Sequence, residues 1–533
     1  MTDLNGAPAH ALLATLDWLV VVAYAAGVVG LGLYVSRARL RPEDFFLASR
    51  SSTWPVIGLA LLASNISSTT LIGLAGAAYG VGISVYNYEW MACVVLVFFC
   101  IFLLPFILRS QVYTMPEYLE RRYDGRARLY FASLTLFLNI AVDAAGTLYG
   151  GAILFRLLFP GTPLWMIVAA LASTAGLYTV CGGLRAVIYT ETVQAIVLLS
   201  GAGVIAVSAF AHAGGWTHVM QAVPPDRLSL IRPIGDPSVP WPGLIFGVPL
   251  LGFYFWCTNQ FMVQRVMSAK NANHGRWGAL FAGLLKLPVL FLMVLPGTCA
   301  LLLFPHLPRA DYVYPTLIFN LLPTGLLGLV VAGFLAAVMS AVASTFNSAS
   351  TLVTMDFIKR IRPQMSGDNL VLSGRLATLS FMALAVIWAP QIDRFQSLWQ
   401  YLQATLAYAV PPVLALFLVG MFWRGANATG AAATLLLGTC AGVMMFLSNV
   451  IFHWTSLHFL YVAPILLAFS ATILVAVSLA SAGTTAGSAT LVWTPAFFRE
   501  ETATLAREPA WRNYRYLAVA LLALTGSIVY AFR

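Results

Sequence analysis

The amino-acid sequence predicts an all-α polytopic membrane protein with about fourteen transmembrane helices, on three observations. Hydrophobic residues make up 60% of the 533-residue chain and charged residues only 9%, against about 25% charged in an ordinary soluble domain. The apolar residues fall in blocks of about 20, each long enough to cross a hydrocarbon core of roughly 30 Å. These blocks do not alternate in polarity over about 10 residues, as barrel strands do. A soluble enzyme and a β-barrel are thereby excluded.

The spans follow in order. The N-terminus, MTDLNGAPAHALLATLD, carries no positively charged region before a cleavage site. It does not read as a signal peptide, so the first span, 16–36, is retained. The second, 52–77, contains ALLASNISSTTLIGLAG (60–76), rich in Ser, Thr, Gly and Asn, and is expected to be interrupted. The third and fourth, 80–107 and 128–158, each hold one carboxylate, Glu89 and Asp143. The fifth and sixth, 163–183 and 187–212, are apolar, with Glu191 near a span end. The seventh, 242–264, contains GVPLLGFYFWCTNQ (247–260), whose Pro and Gly mark a second interruption. The eighth, 277–304, buries Lys286, and the ninth, 323–356, carries a run of small and hydroxyl residues. The remaining spans are 371–390, 395–421, 427–452, 459–481 and 514–531. The longest polar connections are 214–241, 305–320 and 482–513, too short for a separate soluble domain, so the whole chain is expected to form one membrane domain.

The net charge of +10 has a membrane explanation and needs no nucleic acid. Of the 29 Lys and Arg, 22 fall in loops after odd-numbered spans, including Arg37, Arg39, Arg41, Arg121, Arg122, Lys359 and Arg360, and 6 on the other side. The positive-inside rule then puts the odd loops in the cytoplasm and both termini outside. The six cysteines lie in apolar segments without metal-ligand spacing and read as small buried hydrophobes. No HExxH, GxSxG or P-loop pattern occurs, so neither an enzyme nor an ATP-driven pump is expected.

Interrupted helices in corresponding positions of two halves mark the binding site of inverted-repeat transporters. Here the two breaks open successive five-helix units. The plainer explanation is that Gly and Pro are common in membrane helices. Ionisable groups inside a span cost on the order of 3 kcal/mol. Glu89, Asp143, Lys286 and Glu191 therefore need partners on other helices or contact with water, and together they point to a wet centre. Within 331–356, Ala337, Ser340, Ala341, Ser344 and Ser348 share one helix face. Such a face serves close packing, or, with carbonyls freed at a broken helix, a sodium site. Aromatics (Tyr86, Tyr88, Trp90, Phe255, Trp256, Trp399) interleave with Asn65, Glu89, Lys286, Gln400 and Gln403, a mixture suited to stacking sugar rings and bonding their hydroxyls.

At these residues the chain resembles the sodium:solute symporter family, in its sodium/glucose cotransporter branch, over nearly its whole length. The motifs are DFFLASRSSTWPVIGLALLASNISS (44–68), YNYEWMA (86–92), YTMPEYLERRY (113–123), YTVCGGLRAVIYTETVQ (178–194), TNQFMVQR (258–265), FAGLLKLPVLFLMVLPG (281–297) and NSASTLVTMDFIKR (347–360). The resemblance implies a leucine-transporter-type 5+5 inverted repeat with flanking helices and alternating access. The first repeat would be 52–212 and the second 242–421. Residues 1–51 and 427–533 would flank them. By motif position the sodium site falls on Ala63 and Ile66 and on Ala337 and Ser340, with Ala341 where the family usually has Ser or Thr. Glu191 takes the place of an acidic residue on the cytoplasmic sodium path. Asn65, Glu89, Lys286 and Gln403 match sugar-contacting positions, and Tyr88 and Trp399 neighbouring aromatic ones. Phe255 falls where a gating Tyr sits, so Phe255, Trp256 and Trp399 are the expected gate. Departures at Thr70, Ala92, Asp143 and Gly252 leave the particular sugar open, with Thr70 and Asp143 still counted among the expected solute contacts.

The leading expectation is sodium-coupled symport of a small polar solute, a sugar or sugar-like polyol, across the plasma membrane, with sodium as coupling ion and the bilayer as surroundings. Short loops fit a bacterial inner membrane. The missing hydroxyl at Ala341 motivates a second expectation, a carrier of the same solutes that is sodium-independent or proton-coupled through Asp143 or Glu191. A non-transporting solute sensor ranks lower, since no output segment beyond 482–513 is visible.

Overall fold

Backbone groups in lipid must be satisfied within their own segment, so apolar runs of this length are required to be helical. The computed structural model describes residues 13–35, 46, 48–236, 239–394, 398–481 and 491–533, and every regular element among them is helical. Arg37, Arg39 and Arg41, the side chain of Gln400 and the first part of the 482–513 connection lie outside the described residues.

The main helices are α1 (Thr15–Val35), α2 (Trp54–Asn65), α3 (Ser68–Val81), α4 (Ile83–Ser110), α5 (Met115–Arg122), α6 (Gly125–Leu158) and α7 (Leu164–His212). They continue with α8 (Trp241–Thr258), α9 (Gln260–Met267), α10 (Ala272–Leu303), α11 (Leu326–Ile361) and α12 (Gly367–Asp393). The last are α13 (Leu398–Ala409), α14 (Pro411–Phe422), α15 (Ala428–Ile451), α16 (Phe459–Ala480), α17 (Pro495–Leu505) and α18 (Tyr514–Ala531). Eleven helices among the described residues are long and apolar enough to cross a membrane, or up to 13 spans with two bent pairs. A shorter apolar helix, Leu164–Leu177, lies where the fifth span is expected.

Helix α11 is the axis of the molecule: 89% of its most apolar stretch is buried, against 17% for α1 and 22% for α18, which face outward. It packs chiefly on α7, while α2 packs on α10 and α15 on α16. Its small residues make this centrality feasible, because they let neighbouring backbones approach closely. Helix α7 divides at Gly183, whose φ of 56° and ψ of −151° lie in a region that essentially only glycine occupies.

The first expected interruption is a clean break: α2 and α3 meet at 61° across Ile66 and Ser67. The second falls at the end of its expected window. Asn259, with φ −66° and ψ 126°, leaves the helical region and its side chain caps α9 by accepting the Phe261 N–H at 3.3 Å. A third break, not anticipated, separates α13 from α14 by 54° at Val410. Pro411 and Pro412 account for it, because they remove backbone donors and restrict the residue before them. One expectation about side chains needs correction: Cys440 is exposed on the outer surface of α15, not buried.

Candidate solute and cation site

The α2–α3 break exposes backbone oxygens. In an unbroken helix the Ser67 N–H would bond to the Ala63 carbonyl. Here it turns to Thr70 Oγ1 at 3.4 Å, while the Thr70 hydroxyl donates to the Asn65 carbonyl at 3.0 Å. The freed Ala63 carbonyl accepts the Ser340 hydroxyl of α11 at 2.7 Å, and Ser340 Oγ also lies 3.3 Å from the Ala337 carbonyl. Ile66, with ψ of 97°, turns its carbonyl out of the helical ladder. Ser340 thus joins Ala63 and Ala337, and Ile66 follows on the same break. Their neutral oxygens are the hard donors a sodium ion takes, and a bound ion would supply the positive charge that ties the break to α11. Ala341 lines the adjoining cavity with a methyl group only. The Ser344 hydroxyl, one turn further along α11, is engaged by other groups.

That engagement involves Glu191. Its carboxylate pairs with Arg265 of α9, whose Nε donates to Oε2 at 3.0 Å. Ser344 donates to the same carboxylate, and Ser64 donates to it at 2.8 Å. Both charged groups are fully buried. Arg265, counted by sequence with the loop charges after the seventh span, is therefore a correction: it is an internal cation held by Glu191 and Ser344. Its position at the end of TNQFMVQR gave no sign of burial. Of the Ser64–Glu191–Arg265–Ser344 cluster, Glu191 and Ser344 were legible in the sequence.

Above it lies a cavity of 120 Å³ whose lining includes Asn65, Thr70, Tyr88, Glu89, Asp143, Phe255, Trp256, Trp399 and Gln403. Lys286, from α10, donates both to Asn65 Oδ1 and to Glu89. Its ammonium also stands 5.8 Å from the Trp256 ring centroid. Lys286 and Glu89 sit on different helices and neutralise each other, which is how an intramembrane pair is made tolerable. The Tyr88 hydroxyl is buried without a hydrogen-bond partner among the described residues. Asp143 lies beside the Asn259 side chain on a π-helical turn of α6, Asn139–Ala144. Phe255 and Trp256 ride on another, Tyr254–Thr258. Such turns rotate side chains out of register and cluster at functional sites. The Thr70 hydroxyl is committed to the break, so only the rest of its side chain is free to face the cavity.

Tyr88 and Trp399 also line a second cavity of 550 Å³, bounded by Asp311, Tyr408, Asn449, His453 and His458. Their rings meet edge to face at 5.4 Å and 82°, and form the partition between the two spaces. Trp399 lies flat on α3, where Gly73 leaves room: a Cβ there would stand 2.9 Å from the indole. Phe255 instead packs edge-on against Phe261 at 5.5 Å, on the opposite side of the inner cavity. Beyond it the structure is tied shut. Gln264 donates to Thr351 at 2.9 Å, Gln260 accepts the Met115 N–H at 2.8 Å, and Asp356 accepts from Thr114 at 2.9 Å and from Arg128 at 2.6 Å. The open side is the one whose loops are poor in Lys and Arg; the sealed side is rich in them.

Comparison with known proteins identifies the family. Residues 45–438 match the family model described as "Sodium:solute symporter family". The chain is 34% identical over 527 residues to sodium/glucose cotransporter 4 of Danio rerio, covering 89% of this chain and 80% of that one. It is 36% identical over 487 residues to sodium/myo-inositol cotransporter 2 of Oryctolagus cuniculus, covering 84% and 71%. In three dimensions it is similar to the substrate-bound outward-open state of a Na+-coupled sialic acid symporter. That likeness has a TM-score of 0.78 at 20% sequence identity and covers 88% of this chain and 98% of the other.

Proposed function

The chain belongs to the sodium:solute symporter family, and from that premise we propose that it imports a neutral sugar or polyol together with sodium by alternating access. The observation that carries the solute class is the cavity itself. Asn65 and Glu89 present acceptors to it, held in place by Lys286, which stands behind them and does not line the cavity; Gln403 adds an amide, and the buried Tyr88 hydroxyl awaits one bond. Polyhydroxylated molecules satisfy such mixed groups, and the Trp399 and Tyr88 rings supply faces for stacking. The similarity to cotransporters of glucose and myo-inositol supports the same class.

Charge separates this solute from an acidic sugar. With Glu89 offset by Lys286, Asp143 leaves the cavity without a surplus cation, so a carboxylate-bearing sugar would meet repulsion. The coupling ion is assigned to Ala63, Ile66, Ala337 and Ser340, with Glu191 acting on it from the sealed side. One sodium ion crossing about 100 mV supplies roughly 2.3 kcal/mol, about fifty-fold accumulation. Residues 52–212 and 242–421 are the two inverted repeats of a leucine-transporter-type fold, flanked by 1–51 and 427–533. The sealed, Lys/Arg-rich face is cytoplasmic, both termini lie outside, and the setting is a bacterial inner membrane.

Ala341 favours one second reading, a carrier of the same solutes that runs without sodium. Uptake of a radiolabelled panel (glucose, galactose, myo-inositol, sialic acid) into proteoliposomes, with and without an inward sodium gradient, separates the two. Sodium-driven accumulation of a neutral member is expected. Equilibration indifferent to sodium would establish the second reading instead.

A further inference from the structure

A cavity of 470 Å³ lies at the sealed end of the bundle, away from the solute site. Four separate stretches of chain build it: Arg50 ahead of α2, the end of α4 with Arg109 and Gln111, the α9–α10 connection with Lys270 and Asn271, and α17 with Phe497 and Glu501. Arg276 of α10 completes the wall. Four cationic side chains therefore face one carboxylate.

That carboxylate is already spent. Glu501 pairs with Arg276, accepts from Arg515 at 2.7 Å and from the Tyr514 hydroxyl at 2.7 Å. Burial pushes its carboxyl up, but Arg276 and these hydrogen bonds outweigh burial and hold it below its ordinary range. Arg50 donates to the Gln111 and Val112 carbonyls at 3.1 and 3.3 Å, which fixes its guanidinium at the rim. Arg109 rests 4.6 Å from the Phe497 ring centroid, and no carboxylate of the described residues pairs with it or with Lys270. Lys and Arg at helix ends are commonly solvated anchors. Here they converge on a half-open pocket whose wall also includes the apolar Pro105, Leu108 and Phe497. The first turn of α10, Ala272 onward, adds the positive end of a helix dipole.

We propose that this cavity binds the phosphate of an anionic phospholipid headgroup, with Arg109 and Lys270 as its principal charge partners and the apolar wall against its glycerol and acyl ends. A phosphate group matches the uncompensated cations, and the position at the ends of membrane helices selects a lipid over a soluble phosphate. Basic pockets between helix ends on the cytoplasmic side have this chemistry. Occupancy would bridge α4, α10 and α17 and hold the C-terminal segment against the bundle.

The test uses the full-length protein, purified in detergent and exchanged with phosphatidylglycerol or phosphatidylcholine, with retained lipid read by native mass spectrometry. Phosphatidylglycerol is expected to be retained selectively and saturably. The double variant Arg109→Gln/Lys270→Gln should lose roughly twenty-five-fold in retention, two factors of about five for two surface cations. Both side chains are exposed, so the variant should fold. Arg507→Gln, an exposed basic residue outside the cavity, should retain lipid like the wild type. Equal retention of the two lipids, an unaffected double variant, or an equal loss in Arg507→Gln would overturn the proposal. Displacement of phosphatidylglycerol by inorganic phosphate at matched concentration would also overturn it, by making the ligand a soluble anion.

Discussion

Lys286 and Glu89 were legible as soon as the sequence was divided into spans, because a charge in an apolar run has to be balanced or wetted. Removing one partner leaves the other buried and uncompensated, so Glu89→Ala should weaken solute binding by about 1–3 kcal/mol, read as a raised Kd in a binding assay. Tyr88→Phe removes only the unpartnered hydroxyl. It should cost about 1 kcal/mol in affinity, roughly fivefold, and leave thermal stability unchanged; unchanged affinity would take that hydroxyl out of the site. Ala341→Ser should lower the sodium concentration for half-maximal uptake, since it adds a hydroxyl beside Ser340. Arg265 was not legible. It falls one residue past the expected end of the seventh span at 264, and only the fold carries it onto Glu191. Glu191→Gln would leave Arg265 charged and unpaired, at a cost of about 3–5 kcal/mol in stability, visible as a lowered Tm in detergent.

At the scale of helices, composition located the α2–α3 break because Ser, Thr and Asn compete with helical hydrogen bonding. It located the break before α9 less sharply: the expected window was 247–260, with its Pro and Gly at the start, whereas the chain leaves the helix near the end of it at Asn259, which caps the next one. The bend at Val410 was missed although Pro411 and Pro412 are plain in the sequence, because the apolar run continues through them. The π-helical turns that set Asp143 and Phe255 have no sequence signature, since they depend on which neighbours the side chains find. Gly183 offers the sharpest test at this scale. Its backbone occupies a region closed to Cβ-bearing residues, so Gly183→Ala should lower stability by about 1–3 kcal/mol in thermal unfolding. A neutral result would mean that α7 does not need this conformation.

Over the whole molecule, the Tyr88–Trp399 partition separates the inner cavity from a wide vestibule on one face, and the cavity is tied off on the other. The ties run between α9 and α11, and from the α4–α6 connection to α11, along a stripe of polar residues that continues down α11 from Ser340. Asn347 lies on this stripe with neither end of its amide hydrogen-bonded among the described residues. The family, the helical class and the polar centre were all readable in the sequence. Which face is open was not, because it depends on contacts between distant helices. The claim on which the rest depends is coupling: solute and sodium must cross together. Radioactive sodium and labelled sugar should therefore be followed in the same proteoliposomes. Sugar is expected to accelerate sodium entry, and sodium to drive sugar above its external concentration. Sugar that equilibrates while sodium entry stays at its sugar-free rate would contradict the assignment of Ala63, Ile66, Ala337 and Ser340 as a coupling site.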